Sequence, residues 1–326
     1  MAEAALCARI ATIIADYRDG EIQRPTPDHV GQWIAQFPRA AREPLLEETA
    51  HLLDQTYFSK TKIDSFIDGL AKSQKFSGDD PESFWRGAKF LDIQRNGNSQ
   101  RDMLSMFGAA LRKRFGFDIA ECGKQPMLFL YLDDGLYTGH HILGDLKVWI
   151  EKEAPSEAVV RVVVIVEHAY GRYYAETELG KAARAAGKKI TFQFWHAMRV
   201  EDRKSCTDAS DVLRPAEIPD DELTKAYVAT MRYPPVLRKP GKKGPLNLFS
   251  SETARNLLEQ EFLKSGVHIR AICPHLNKYQ RPLGNSVLET LGFGSTVVTF
   301  RNCPNNAPLA LWAGDPWHPL FPRRTN

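Results

Sequence analysis

The densest group of chemistry-bearing residues is the segment Leu128-Phe-Leu-Tyr-Leu-Asp-Asp-Gly-Leu-Tyr-Thr-Gly-His-His141. A largely apolar run leads into two acids, and a Thr-Gly turn then opens an amphipathic helix. Carboxylates at the end of a strand accept hydrogen bonds from vicinal hydroxyls. A tight turn at a helix start presents backbone N–H groups to an anion. The plainer reading of the same residues is an acidic turn that caps a helix.

Open α/β sheets bind ligands outside the carboxyl ends of their strands, so the residues after each apolar run are the next candidates. Gln94 is followed by Arg95, Asn96, Gly97, Asn98, Ser99 and Gln100, whose small residues and N–H groups suit a second anion. Asn98 and Ser99 serve equally as N-caps of the helix that carries Met103, Leu104 and Phe107. Glu167 and His168 follow one apolar run and His196 another. They are candidates for acid–base work or for orienting a nucleophile, although a histidine at a strand end is commonly structural. Asn305 and Asn306 suit the edge of a base with Trp312 behind them, or else form a turn whose tryptophan belongs to the core. Arg238, Lys239, Lys242 and Lys243 form a basic stretch that suits phosphate or nucleic acid, or is simply solvated.

The elements that must position these residues follow from periodicity. Up to about residue 78, apolar positions recur at three and four: Leu6, Ile10, Ile13 and Ile14, then Val30, Trp33, Ile34 and Phe37, then Ile63, Phe66, Ile67 and Leu70. This predicts an all-helical N-terminal region over 1–80, ending in the turn-rich Ser77-Gly-Asp-Asp-Pro81. Beyond it, predicted strands at 90–93, 127–132, 159–166 and 190–194 alternate with helices near 101–115, 141–152 and 174–186. Such alternation predicts an α/β fold with a doubly wound, mainly parallel sheet. Consecutive apolar residues in the strands imply that both sheet faces are covered. Residues 198–247 are polar and proline-dotted and read as an insertion or mobile loop within a domain spanning 81–326. A helix at 250–265, a short apolar segment at 267–273 and a last strand at 296–300 follow. The sequence has no internal repeats.

Bulk properties exclude little. Forty-three basic against 40 acidic residues leave a net charge of +3, so no global argument for nucleic acid or membrane follows. The five cysteines contain no CxxC pair, which argues against a zinc site or a disulfide framework and for reduced cytoplasmic thiols. The apolar start carries Glu3 and Arg9 and lacks a signal-peptide pattern, and no run approaches the ~20 apolar residues of a spanning helix. A cytoplasmic protein without membrane partners is expected.

The acid pair and Thr-Gly turn resemble the PRPP-binding signature of type I phosphoribosyltransferases: a strand, two acids, a variable spacer, Thr-Gly, one further residue and usually Thr or Ser. On that resemblance Asp133 and Asp134 hold the ribose. Tyr137, Thr138, Gly139, His140 and His141 hold the 5-phosphate, and the Arg95 to Gln100 loop holds pyrophosphate. His141 departs from the usual hydroxyl residue. The closing stretch Thr296-Val-Val-Thr-Phe-Arg-Asn-Cys-Pro-Asn-Asn-Ala-Pro-Leu-Ala-Leu-Trp312, with Arg281-Pro-Leu-Gly284 upstream, is similar to the PRTase-CE family of bacterial conflict systems. Some members of that family accompany retrons and other anti-phage loci. The resemblance covers about two-thirds of the chain. It implies a domain of the type I phosphoribosyltransferase kind and PRPP or a nucleotide as ligand, with Mg²⁺ bound through that ligand. The implied chemistry is transfer or cleavage of a ribose-5-phosphate N-glycosidic linkage. Other proteins or nucleic acid of a defence system are the implied partners. A nucleotide-sensing or assembly module that has lost transfer, and a nucleic-acid-modifying effector, are the alternatives.

Overall fold

The computed structural model describes residues 2–95, 97–123, 126–241, 244 and 248–323. In chain order the elements are α1 (Ala2–Ile13), α2 (Pro27–Ile34), α3 (Arg42–Thr56), β1 (Tyr57–Phe58), α4 (Lys60–Ala71), α5 (Gln74–Ser77) and α6 (Pro81–Gly87). Then come β2 (Lys89–Phe90), α7 (Ser99–Phe115), β3 (Leu128–Leu136), α8 (His140–Lys152), β4 (Glu157–His168), α9 (Ala169–Ala185) and β5 (Lys189–Val200). The chain closes with α10 (Glu222–Ala229), α11 (Glu252–Ile272), β6 (Gln280–Arg281), β7 (Gly284–Asn285), β8 (Val298–Thr299) and α12 (Leu309–Trp312). The fold is mixed α/β with parallel sheets.

The chain divides into two compact units, one of residues 61–200 and one of residues 1–60 with 201–326. The division falls at 60 and 200 and not at 80, and there are two local reasons. The segment expected to end a helical region is a helix start: Pro81 takes the first turn of α6, and the Asp80 carboxylate accepts from the N–H of Ser83 at 3.0 Å. The polar stretch expected as an insertion is anchored, because the buried Arg255 guanidinium donates to the carbonyls of Ser210 and Val212, each at 3.0 Å.

Residues 61–200 hold the four-stranded sheet, ordered β2-β3-β4-β5, with every neighbouring pair parallel. Helices lie on both faces. Phe90 contacts Phe107 of α7 and Trp85 of α6 on one side. On the other, Phe129 packs on Trp149 of α8, and Val160, Val162 and Val164 share a core with Ile142, Leu146 and Leu179. Covered twice, β4 buries every residue from Val162 to His168, and each such apolar side chain contributes on the order of 1.5–3 kcal/mol. Successive strands are neighbours throughout, so the order within this sheet contains no reversal of the kind a doubly wound sheet is expected to show.

In the other unit, α1 packs on α2 and α3, and α11 packs on α3, α10 and α12. Trp33 donates its indole N–H to Ala310 O at 2.8 Å. The expected last strand shrinks to β8 and pairs in parallel with β1. The apolar segment predicted after α11 belongs to that helix, which runs unbroken for 21 residues because Val267 and Ile269 extend its buried stripe. Trp312 is buried and donates to Ala307 O at 2.8 Å, so it belongs to the core. All five cysteines are free thiols. Among the described residues no helix is long and apolar enough to cross a membrane.

Candidate functional site

The acids of the 128–141 segment lie inside β3, not beyond it. The longer β4 offers partners past the apolar run, with Asp133 opposite Val164, Gly135 opposite Val166 and Leu136 opposite Glu167. Only Tyr137, Thr138 and Gly139 form the turn, and His140 and His141 are the first residues of α8, both exposed. No side chain caps that helix, so its leading N–H groups point into the turn.

The turn is fixed by backbone packing against the start of α9. Gly139 has φ +79°, and a Cβ there would stand 2.5 Å from Gly171 O. A Cβ on Gly171 would stand 2.0 Å from Tyr137 O. Glycine at both positions lets the two chain segments touch, which gives the turn one shape. The Tyr137 ring lies 4.9 Å from the ring of His168 below it.

Asp133 is buried, and its carboxylate accepts from the N–H of Asp134 at 2.8 Å and from the hydroxyl of Ser99. Burial, and then repulsion from Asp134, raise its pKa to about 8 against those two hydrogen bonds, with Asp145 adding to the rise. Burial and the neighbouring acids outweigh these two donors, so in the chain by itself this carboxyl holds its proton near neutrality.

The Arg95 to Gln100 loop is joined to the same cluster. Gln94 and Gln100 clamp its ends: the Gln100 side-chain oxygen accepts from the N–H groups of Ile93 at 2.7 Å and Gln94 at 2.8 Å, and the Gln100 N–H donates to Gln94 Oε1 at 3.0 Å. Gln94 Nε2 donates to Ser99 Oγ at 2.8 Å, and Arg95 N–H donates to Asp145 Oδ1 at 3.3 Å. Asn98 occupies the N-cap position of α7, yet its side chain makes no capping bond. Arg95, Gly97 and Asn98 are exposed, and Asn96 lies outside the described residues.

Asp145 escapes a reading of motifs, although it carries a signal. It occupies the apolar stripe of α8 with Ile142, Leu146 and Trp149, where a charge is unexpected. Its Oδ2 accepts from the Tyr131 hydroxyl at 3.0 Å and lies 3.6 Å from His141 Nε2. Burial, followed by the neighbouring Asp133 and Asp145, raises the Tyr131 pKa far above its ordinary value.

Glu167 and His168 are enclosed. The Glu167 carboxylate faces His196 Nδ1 at 3.4 Å, Arg172 Nε at 3.6 Å and Arg199 Nη1 at 3.8 Å. Burial lowers the His168 pKa to about 3, so its ring is neutral.

The remaining candidates lie in the other unit. Asn305 Oδ1 accepts from Arg323, and Asn306 Nδ2 donates to Asn285 O at 3.4 Å. Arg238 is buried, with its guanidinium on Glu252 at 2.6 Å and Glu259 at 2.8 Å, so it is unavailable to an external phosphate. Lys239 is exposed, and Lys242 and Lys243 lie outside the described residues.

A family model described as PRTase-CE matches residues 30–323. The chain belongs to the PRTase-CE family. It is therefore phosphoribosyltransferase-like, and its membership reaches further towards the N-terminus than the motifs alone imply, taking in most of α2 and all of α3. No curated protein matches the chain, and no solved structure does. Within this PRTase-CE protein the structure brings Asp133, Asp134, Ser99, Asp145 and the 137–139 turn into one neighbourhood of residues 61–200.

Proposed function

We propose that residues 61–200 form a domain of the type I phosphoribosyltransferase kind that binds PRPP or a nucleotide through its ribose 5-phosphate. The observation that carries this is the buried Asp133, next to Asp134 in β3, one turn away from the uncapped start of α8. The acids accept from the ribose hydroxyls, and the N–H groups of the 137–141 segment hold the phosphate. The Arg95 to Gln100 loop, tied to Asp145, faces the leaving group.

A Mg²⁺ ion brought by the ligand fits this set, because the carboxylates of Asp133 and Asp134 are hard oxygen donors and few protein ligands are needed. When bound, the ion supplies positive charge to the phosphates. The protein's own residues position the ribose and exclude water while positive charge develops at the anomeric carbon. The step is transfer or cleavage of a ribose-5-phosphate N-glycosidic linkage, and the setting inferred for it is bacterial anti-phage defence.

A second reading, a nucleotide-sensing module without turnover, is favoured by one observation: His141 stands where a hydroxyl residue is usual and leans on Asp145. The two are separated by incubating the chain with Mg²⁺ and either PRPP or nucleoside monophosphates, and following base, pyrophosphate and ribose 5-phosphate by chromatography. Products that disappear in Asp133→Asn/Asp134→Asn support the enzyme. Binding without products supports the sensor.

A further inference from the structure

The aromatic residues at the start of α9 have no part in the reading above. Tyr170 and Tyr173 are 50% and 64% exposed, among the most exposed large apolar side chains described. Tyr170 stacks on Tyr174 with centroids 6.5 Å apart and planes 16° apart. Tyr174 meets the ring of His140 edge-on at 4.7 Å. His140 is the first residue of α8, directly after the proposed phosphate turn. The rings of Tyr170, Tyr174 and His140 thus run continuously to that turn, and Tyr173 is exposed three residues after Tyr170 on the same helix. The close approach of Gly171 to Tyr137 locks that helix to the turn.

Position decides what such a platform meets. A ribose 5-phosphate seated on the turn directs its ribose hydroxyls towards the acids and its phosphate towards the turn. Any group beyond the phosphate continues away from the ribose, alongside the first turns of α9. Exposed tyrosines hold a flat π-system by stacking and tolerate any base.

We propose that the ligand continues through its 5′-phosphate into a second nucleoside, whose base stacks on Tyr170 and Tyr173. This rests on the ribose-phosphate reading and narrows it to dinucleotides. The second nucleoside is joined either by a pyrophosphate or by the phosphodiester of a strand.

The test is titration of two ligand pairs into the full chain with Mg²⁺. Nicotinamide mononucleotide and NAD⁺ differ by an adenylyl group on the 5′-phosphate, and AMP and ApA differ by a nucleoside on it. The wild type is expected to bind at least one extended ligand about tenfold more tightly than its partner, the gain of one stacked base. Tyr170→Ala/Tyr173→Ala is expected to lose that gain and keep the affinity for the mononucleotide. A gain in the first pair alone identifies the pyrophosphate source, and a gain in the second alone the strand. Equal affinities within both pairs, or a gain that survives in the variant, overturn the proposal. Failure of all four to bind while PRPP binds overturns it and leaves the ribose-phosphate reading standing. Failure of PRPP as well removes both.

Discussion

The Tyr131 hydroxyl donates to Asp145 Oδ2 at 3.0 Å, joining the centre of β3 to the buried face of α8 beneath the acid pair. The other oxygen of the same carboxylate holds the Arg95 N–H. One buried group therefore links strand, helix and loop. Asp145→Ala leaves the Tyr131 hydroxyl without its acceptor and is expected to cost about 1–3 kcal/mol. Asp145→Asn keeps an acceptor and removes a charge near Asp133, so its cost is smaller. Urea unfolding of the two variants checks the order.

Asp133 couples stability to pH. Its folded pKa of about 8 lies above the ordinary 3.8, so between those values the folded state binds more protons than the unfolded state. Its contribution to stability is fully present below the lower value and is lost as pH rises through the upper one. Asp133→Asn is expected to be more stable than the wild type in alkaline buffer and to lose ligand binding. Melting temperature measured from pH 5 to pH 9 on both proteins tests this. A difference between them that does not grow with pH contradicts it.

His168 acts in the opposite sense. Its folded pKa of about 3 lies below the ordinary 6.5, so the unfolded state takes up the extra proton. Stability is lost as pH falls from the upper value towards the lower. His168→Gln is expected to flatten this acid limb, measured as the pH dependence of the unfolding midpoint between pH 3 and pH 6.5.

The turn tolerates no side chain at Gly171. Alanine there collides with a backbone oxygen, so the expected outcome is a displaced turn and a loss of ligand affinity of roughly a hundredfold or more, a 1 Å misplacement being enough for such an effect. Gly144→Ala on α8, where a Cβ meets nothing within 4 Å, is expected to bind normally and to gain up to about 1 kcal/mol. Calorimetry and thermal melts on the pair separate the two effects.

Arg238 gives a contrast between neighbours. Arg238→Ala leaves Glu259 buried with less compensation, at an expected cost of about 3–5 kcal/mol. Lys239→Ala on the exposed next residue is expected to stay within about 0.5 kcal/mol of the wild type. Denaturant midpoints give both values.

What the sequence makes legible is local. The β3 run, the acid pair, the Thr-Gly turn and α8 are contiguous, so pattern and turn chemistry reveal them. The bounds of β3 are less legible, because Asp133 to Leu136 are held in the strand by β4, a partner distant in sequence. Asp145 and Gly171 act through contacts made only on folding: one is a lone charge in an apolar stripe, the other a glycine inside a helix. Arg238 misleads because its acidic partners, Glu252 and Glu259, lie on a helix further along the chain. The last strand pairs with Tyr57 and Phe58, whose two residues carry no periodicity to read.

The most direct test is calorimetric titration of PRPP with Mg²⁺ into the wild type and into Asp133→Asn/Asp134→Asn. Saturable binding by the wild type, lost in a variant that remains folded by circular dichroism, is the expected result. Absence of binding by the wild type, or equal binding by both proteins, contradicts the assignment of the 133–141 segment as the ribose-phosphate site.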